Sequence, residues 1–308
     1  MSAWTASDIP SQLGRLAIVT GTGGLGFEDA LALARAHASV IIAGRNSING
    51  DEARRRILAE VPTADIRFET LDLASLASIQ SFGDRIKAQY KELDLLINNA
   101  GVMMPPRRKA TEDGFELQFG TNYLGHFALT AHLLPLLRKT KNSRVVTVSS
   151  IADRSGAILF EDLQWERRYK PMGAYCQSKL ACLIFALELQ RRCDANDWAC
   201  AIMAAHPGLA HTKLLTNGGG RFSAMSLWFA LTGWFTMQSA ARGALPTLFA
   251  ATSPDARPGR YYGPDGFMGF KGAPAEANIP LAAQDMVTAR RLWEVSEQQT
   301  RLSFEANK

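Results

Sequence analysis

Between residues 15 and 206, short apolar runs take turns with longer stretches of helical period. Residues 15–20 (RLAIVT), 39–44 (SVIIAG), 66–71, 93–98, 144–148 and 198–204 predict six strands. Residues 25–37, 51–60, 75–90, 119–137 and 174–192 predict the helices between them. Strands rich in Val, Ile and Leu without polar alternation are buried on both faces, as in a parallel sheet. Strict strand–helix alternation predicts an α/β fold with one doubly wound (Rossmann) parallel sheet and helices on both faces. Residues 1–13 precede the pattern as an N-terminal extension. Residues 14–308 carry no repeat, low-complexity tract or linker and are read as one domain.

Two of these helices are apolar nearly all round. Residues 181–187 (ACLIFAL) hold no charge, and residues 124–137 hold none when their histidines are neutral. A helix on a sheet buries one face, so these need a second cover. Other helices of the chain or another subunit would provide it. We expect a subunit contact, hence a homo-oligomer (dimer or tetramer). Beyond residue 206 the alternation stops. Asn217-Gly218-Gly219-Gly220 signals a turn or loop, followed by Phe222, Met225, Trp228, Phe229, Trp234, Phe235 and Met237. Residues 238–252 predict a helix, 259–272 a Gly- and aromatic-rich loop or short strand, and 283–298 a closing helix.

The composition is that of an ordinary globular chain: 308 residues, 47% hydrophobic and 20% charged. The four cysteines (Cys176, Cys182, Cys193, Cys200) form no Cys-x-x-Cys pair and are read as reduced thiols. The histidines share no ligand-like spacing with them, so no metal is expected. No run of 18 apolar residues occurs, and Met1-Ser2-Ala3-Trp4-Thr5 does not start a secretory signal. The expected location is cytoplasmic. The net charge of +5 is mild. Arg54-Arg55-Arg56, Arg107-Arg108-Lys109 and Arg191-Arg192 read as solvated faces, and no nucleic-acid partner is expected. A modest basic bias also suits an anionic cofactor.

Gly21-Thr22-Gly23-Gly24-Leu25-Gly26 follows the first strand and opens the first helix. This is G-x-G-x-x-G in its informative context: glycines let the backbone approach a pyrophosphate, and the helix N-terminus offers N–H donors. The second strand ends Ala43-Gly44-Arg45-Asn46, with no acid for a ribose hydroxyl. Arg45 can instead meet a 2′-phosphate, which predicts NADP(H). The plain alternative is a solvated turn arginine. Tyr175 and Lys179 stand four apart on a predicted helix and share a face. An ammonium near a phenol lowers its pKa, and a phenol so tuned serves carbonyl–alcohol interconversion.

The ordered set Thr20-Gly21…Gly24-Leu25-Gly26, Asp72-Leu73, Asn98-Asn99-Ala100-Gly101, Asn122, Ser149-Ser150, Tyr175-x-x-x-Lys179 and Pro207-Gly208 resembles the short-chain dehydrogenase/reductases over nearly the whole chain. Ala174-Tyr175-Cys176-Gln177-Ser178-Lys179-Leu180-Ala181, and the long Ser150–Tyr175 spacer with Phe160-Glu161-Asp162-Leu163, resemble the retinol-dehydrogenase-like members. The resemblance implies a catalytic set of Asn122, Ser150, Tyr175 and Lys179. Tyr175 would exchange the proton, Lys179 would lower its pKa and bind the nicotinamide ribose, Ser150 would polarise the substrate oxygen, and Asn122 would hold a relay water. It implies cofactor contacts from Gly21, Gly23, Gly24, Leu25, Gly26, Arg45, Asn46, Asp72, Leu73, Asn99, Ala100, Gly101, Pro207, Gly208 and Thr212, besides Tyr175 and Lys179.

The glycine loop departs from the family pattern: it is one residue short between Gly21 and Gly24. The expected consequence is weaker or altered cofactor binding. Residues 213–237 would cover a bulky apolar or aromatic substrate, with Met103, Met104, Leu159 and Phe160 as further walls. Packing into the core, or docking on a membrane or protein, are the other readings of that segment. The expected function is an NADP(H)-dependent oxidoreductase acting on a carbonyl or alcohol of an apolar small molecule. The alternatives are a double-bond reductase on the same scaffold and a catalytically idle NADP-binding module.

Overall fold

The computed structural model describes residues 3–210 and 238–304. The six predicted strands form as β1 (Leu16–Thr20), β2 (Ser39–Gly44), β3 (Ile66–Thr70), β4 (Leu95–Asn98), β5 (Ser143–Val148) and β6 (Cys200–Ala205). The chain adds two more. β7 (Tyr261–Pro264) runs parallel to β6, and β8 (Pro274–Glu276) runs antiparallel to β7. The sheet order is β3-β2-β1-β4-β5-β6-β7-β8. β7 lies within the 259–272 stretch expected to be a loop or short strand, while β8, three residues long and starting at Pro274, escapes a hydrophobicity reading.

One face of the sheet is covered by α1 (Leu25–Arg35), α2 (Ser47–Glu60) and α6 (Ala240–Thr252), with Leu31, Ile57 and Leu248 in one apolar cluster with Val19 and Ile42. The other carries α3 (Leu76–Gln89), α4 (Gly125–Lys139), α5 (Pro171–Ala195) and α8 (Met286–Thr300), with the short α7 (Leu281–Gln284) before α8. Caps set several boundaries. α2 begins ahead of the predicted start because Asn46 Oδ1 accepts the Asn49 N–H at 3.0 Å. The closing helix begins at Met286 because the Asp285 carboxylate accepts from the Val287 and Thr288 N–H groups. α5 starts with Pro171, whose missing N–H costs nothing in a first turn. No helix among the described residues is long and apolar enough to cross a membrane.

The all-round apolarity of α4 and α5 is satisfied within the chain, so it does not require the subunit contact from which a homo-oligomer was expected. α8 brings Ala289, Leu292, Trp293 and Ser296 onto one buried face at helical spacing. Trp293 lies 5.1 Å from Phe127, 5.9 Å from Phe185 and 4.6 Å from Phe304, ring centre to centre. With that cover in place, α4 and α5 give no argument for a homo-oligomer. The N-terminal extension is also docked: Trp4 packs edge-on against Phe249 at 5.4 Å, and the Gln12 N–H donates to the Ala36 carbonyl.

One residue of α1 opposes the fold. Asp29 is fully buried, and neither carboxyl oxygen has a hydrogen-bond partner among the described residues. Burial pushes its pKa well above the usual aspartate range, and Glu28 adds to the shift. An unpaired buried polar group costs about 1–3 kcal/mol. Asp29→Ala is therefore expected to stabilise the protein by about 1 kcal/mol or more in urea unfolding at neutral pH. The sign with pH follows. The folded chain keeps a proton that the unfolded chain releases above about pH 3.9. Stability is therefore lost as pH rises through the elevated folded value, and that slope should flatten in Asp29→Ala. Unchanged stability and unchanged slope would refute this reading.

Candidate active site

Doubly wound sheets bind ligands beyond the carboxyl ends of their strands, where strand order reverses. Here the reversal lies between β1 and β4, and the residues after six strand ends open onto one cavity of about 750 Å³. At one end lies the glycine loop. Gly21 and Gly24 have φ of 100° and 54°, a region that disfavours side chains. A side chain on Gly26 would lie 2.6 Å from the Gly21 carbonyl oxygen. α1 starts at this loop with no side-chain cap, so its first N–H groups remain available to an anion.

The loop is braced by a buried threonine. Thr20 Oγ1 receives the Asn99 and Ala100 N–H groups, both at 2.9 Å, and Asn99 Nδ2 donates to the Thr20 carbonyl. His126 Nδ1 lies 2.8 Å from the Asn122 carbonyl and Nε2 lies 2.9 Å from Thr20 Oγ1. The carbonyl can only accept, so Nδ1 carries the proton and Thr20 donates to Nε2. Burial lowers the His126 pKa to about 4, which keeps the ring neutral and this direction fixed.

At the end of β2, Arg45 and Asn46 line the cavity. Arg45 is exposed and makes no ion pair or hydrogen bond with the described residues. Thr22, the side chain of the shortened loop, lies against Gly44: a Cβ there would sit 2.8 Å from Thr22 Cγ2. Asp72 and Leu73 line the same region, with one Asp72 oxygen accepting the Ala74 N–H.

Tyr175, Lys179 and Ser150 gather toward the other end. α5 carries the first two one turn apart, and Ser150 follows β5 and caps a short 3-10 turn, Ile151–Ser155. Lys179 Nζ donates to the Val148 carbonyl at 2.9 Å, and burial lowers its pKa. The phenol differs from the sequence expectation. Burial dominates and pushes Tyr175 up to about 12, with Ser150 pulling the other way. Lys179 is not among the groups that shift this phenol, so the expected lowering by its ammonium is not found.

Asn122 stands behind the cavity wall, in a π-helical turn, Phe119–Leu124, that leads into α4. Such turns break the helical ladder locally. Its Oδ1 accepts the Val102 N–H at 2.7 Å, and its Nδ2 donates to the Val102 carbonyl and to Ser178 Oγ, each at 3.0 Å. The amide thus clamps the β4 loop to α5, so its two N–H donors are both occupied within the protein. A Cβ at Gly101 would lie 3.0 Å from Asn122 Oδ1, a tight approach, and 3.8 Å from Lys179 Nζ, an ordinary contact.

Of the sequence-predicted residues, Gly21, Gly23, Gly24, Leu25, Arg45, Asn46, Asp72, Leu73, Asn99, Ala100, Gly101, Ser150, Tyr175, Lys179, Pro207 and Gly208 all line this cavity. Gly26 and Asn122 lie behind its wall. Thr212 and the segment 213–237 lie outside the described residues. Among the predicted substrate walls within the described residues, only Met103 lines the cavity; Phe160 is instead stacked by Arg291 at 4.1 Å, and Leu159 is 39% exposed. Sequence reading missed Thr22, Asn49, Ile151 and Met172, which also line it. Asn49 had a usable signal, since it lies on the first turn after Arg45-Asn46.

This crevice, with a glycine loop at one end and a Tyr–Lys pair at the other, is that of a nicotinamide-dinucleotide oxidoreductase. The chain belongs to the short-chain dehydrogenase family: the family model matches residues 15–219. Within it, the chain falls with the retinol-dehydrogenase-like members. It is 40% identical to polyprenol dehydrogenase of Mus musculus, over 92% of this chain and 83% of the relative. It is 39% identical to human retinol dehydrogenase 13, over 91% of this chain and 82% of the relative. Among solved structures, an uncharacterized protein from Mycobacterium paratuberculosis has 40% identity and a TM-score of 0.81, covering 98% of this chain and 99% of that one. The Pseudomonas aeruginosa RhlG/NADP active-site complex shares the fold at 23% identity and a TM-score of 0.64, covering 82% of this chain and 94% of that one.

Proposed function

We propose that this chain is an NADP(H)-dependent oxidoreductase that interconverts a ketone or aldehyde and its alcohol on a bulky apolar molecule. The observation that carries the reading is the single cavity shared by the glycine loop, the unpaired Arg45, and the Ser150, Tyr175 and Lys179 set. The residues fit the dinucleotide: positive φ at Gly21 and Gly24 and the uncapped start of α1 suit a pyrophosphate. Arg45 suits a 2′-phosphate and faces no competing acid at the β2 end.

When bound, the nicotinamide supplies or receives the hydride. The chain does the rest. Ser150 orients and polarises the substrate oxygen, and Tyr175 gives it a proton or takes one back. Lys179, one turn from Tyr175 on α5, would hold the ribose of the bound dinucleotide and supply positive charge on the phenol's side of the site. Asn122 and Gly101 keep the Lys179 end compact. A buried, neutral phenol is a proton donor throughout the neutral range, which suits reduction. Met103, Ile151 and Met172 give the site apolar walls, and the relatives' names, for retinol and polyprenol, point to long apolar alcohols.

The test is a screen of NADPH and NADH consumption against apolar aldehydes and ketones, retinoid and polyprenoid ones included. Turnover with NADPH in clear excess over NADH is expected. Failure of all carbonyls, with intact NADPH binding, would overturn the reading.

A further inference from the structure

Beneath the candidate catalytic set lies a second polar cluster that the reaction as described does not use. Asp153, on the 3-10 turn capped by Ser150, is fully buried. Its Oδ2 accepts from Ser149 Oγ at 2.8 Å and from the Tyr261 hydroxyl at 2.5 Å. Its Oδ1 is buried without a partner among the described residues. Ser149 Oγ also lies 2.8 Å from the Lys179 carbonyl. The Asp153 N–H donates to the Ser150 carbonyl, and the Ala152 N–H reaches Ser150 Oγ at 3.2 Å. One carboxylate thus joins the end of β5, the turn that carries Ser150, the backbone of α5 at Lys179, and β7.

We propose that the Asp153 carboxylate is a positioning residue that holds Ser150 and Lys179 in place by accepting from Ser149 and Tyr261 at once, so that loss of its charge slackens the site. The proposal rests on the carbonyl–alcohol reading above.

The argument is a count of protons. Ser149 has one hydroxyl proton and two acceptors within reach. An ionised Asp153 takes that proton and the Tyr261 proton together. A proton added at Oδ1 has no acceptor, and one added at Oδ2 displaces Ser149 or Tyr261. With the proton on Oδ2, Ser149 turns to the Lys179 carbonyl and the link across the 3-10 turn is lost; with it on Oδ1, a buried O–H is left unpaired and the two accepted bonds lose their charge assistance.

The surrounding charges agree with a switch in the mildly acidic range. Burial raises the Asp153 pKa to about 6, against the opposing effect of Tyr261, Ser149 and Arg154. From α5, Tyr175, Cys176, Lys179 and Cys182 all feel its charge, and for Lys179 that charge opposes the effect of burial. From the end of β6, His206 packs at a tilt against Tyr261, 5.1 Å between ring centres, with burial and Arg154 lowering its own pKa to about 3. His206 therefore stays neutral through this range and does not supply the switch.

The test compares pH profiles of NADPH-dependent carbonyl reduction, at saturating NADPH, for the wild type, Asp153→Asn and Tyr261→Phe. The wild type should lose rate on acidification with a midpoint near 6. Asp153→Asn should be slower at neutral pH by between about tenfold and 100-fold, and should lack that limb. Tyr261→Phe removes a donor to the carboxylate, so the limb should remain and move to higher pH. NADPH affinity should change little in either variant. The Ser150 backbone amide NMR shift should titrate with the same midpoint in the wild type and not in Asp153→Asn. An acid limb that survives in Asp153→Asn, or a Tyr261→Phe midpoint that does not move, would overturn the proposal. A wild type that binds NADPH but reduces no carbonyl would instead overturn the activity, and the Ser150 titration would still decide the coupling. If Asp153→Asn does not fold, the Tyr261→Phe midpoint decides.

Discussion

Tyr175→Phe is expected to cut carbonyl turnover by about 10²–10⁴-fold, the usual contribution of a positioned acid. The substitution removes one oxygen from a side chain that is 6% exposed and leaves the ring packing intact. NADPH affinity and thermal stability should therefore stay close to the wild type. The direction with pH also follows. Burial holds the phenol neutral up to about 12. Reduction needs the neutral form, so its rate should not fall across the neutral to mildly alkaline range. Alcohol oxidation needs the ionised form, so its kcat/KM should rise with pH by about tenfold per unit below the phenol's pKa. A Tyr175→Phe enzyme that retains most of its turnover would remove Tyr175 from the chemistry.

Arg45→Ala is the second large effect. A charge-assisted hydrogen bond contributes about 1.5–3 kcal/mol, or roughly 10–100-fold in affinity. NADP(H) binding should weaken by that factor. NAD(H), which has no 2′-phosphate, should be nearly unaffected. The position supports a selective effect: Arg45 is exposed at the cavity edge and has no partner among the described residues, so its removal breaks no internal contact. Equal affinities for the two dinucleotides in the wild type, or equal losses in the variant, would refute the assignment. The same titration reports on the shortened loop. Thr22 packs beside Gly44 and so borders the region Arg45 would serve.

Most of the fold was legible because buried parallel strands write long apolar runs and the helices between them keep their period. β7 falls within residues 259–272, read as a loop or short strand, but β8 was not legible, since a pairing three residues long carries no periodicity of its own. The role of α8 was not either. All-round apolarity in α4 and α5 reveals the need for a cover but not its origin, and Trp293 and Phe304 come from far along the chain. The candidate site was legible where chemistry is bound to local spacing, as in the glycine loop and in Tyr175 with Lys179. It was illegible where partners meet only in space. Nothing near Asp153 in the sequence announces Tyr261, 108 residues away. Nothing near Thr20 announces His126, 106 residues on. The phenol's upward shift belongs to the same class, because desolvation is a property of the packed site and spacing alone gives only the neighbouring ammonium.

The central claim is hydride transfer to a carbonyl carbon with protonation of its oxygen. It is tested most directly by reducing an apolar aldehyde with NADPH that carries deuterium at the transferring carbon, then locating the label in the product. The account predicts deuterium on the carbinol carbon of the alcohol, formed one for one with NADP⁺. Label on a carbon of a former carbon–carbon double bond, with the carbonyl intact, would contradict it.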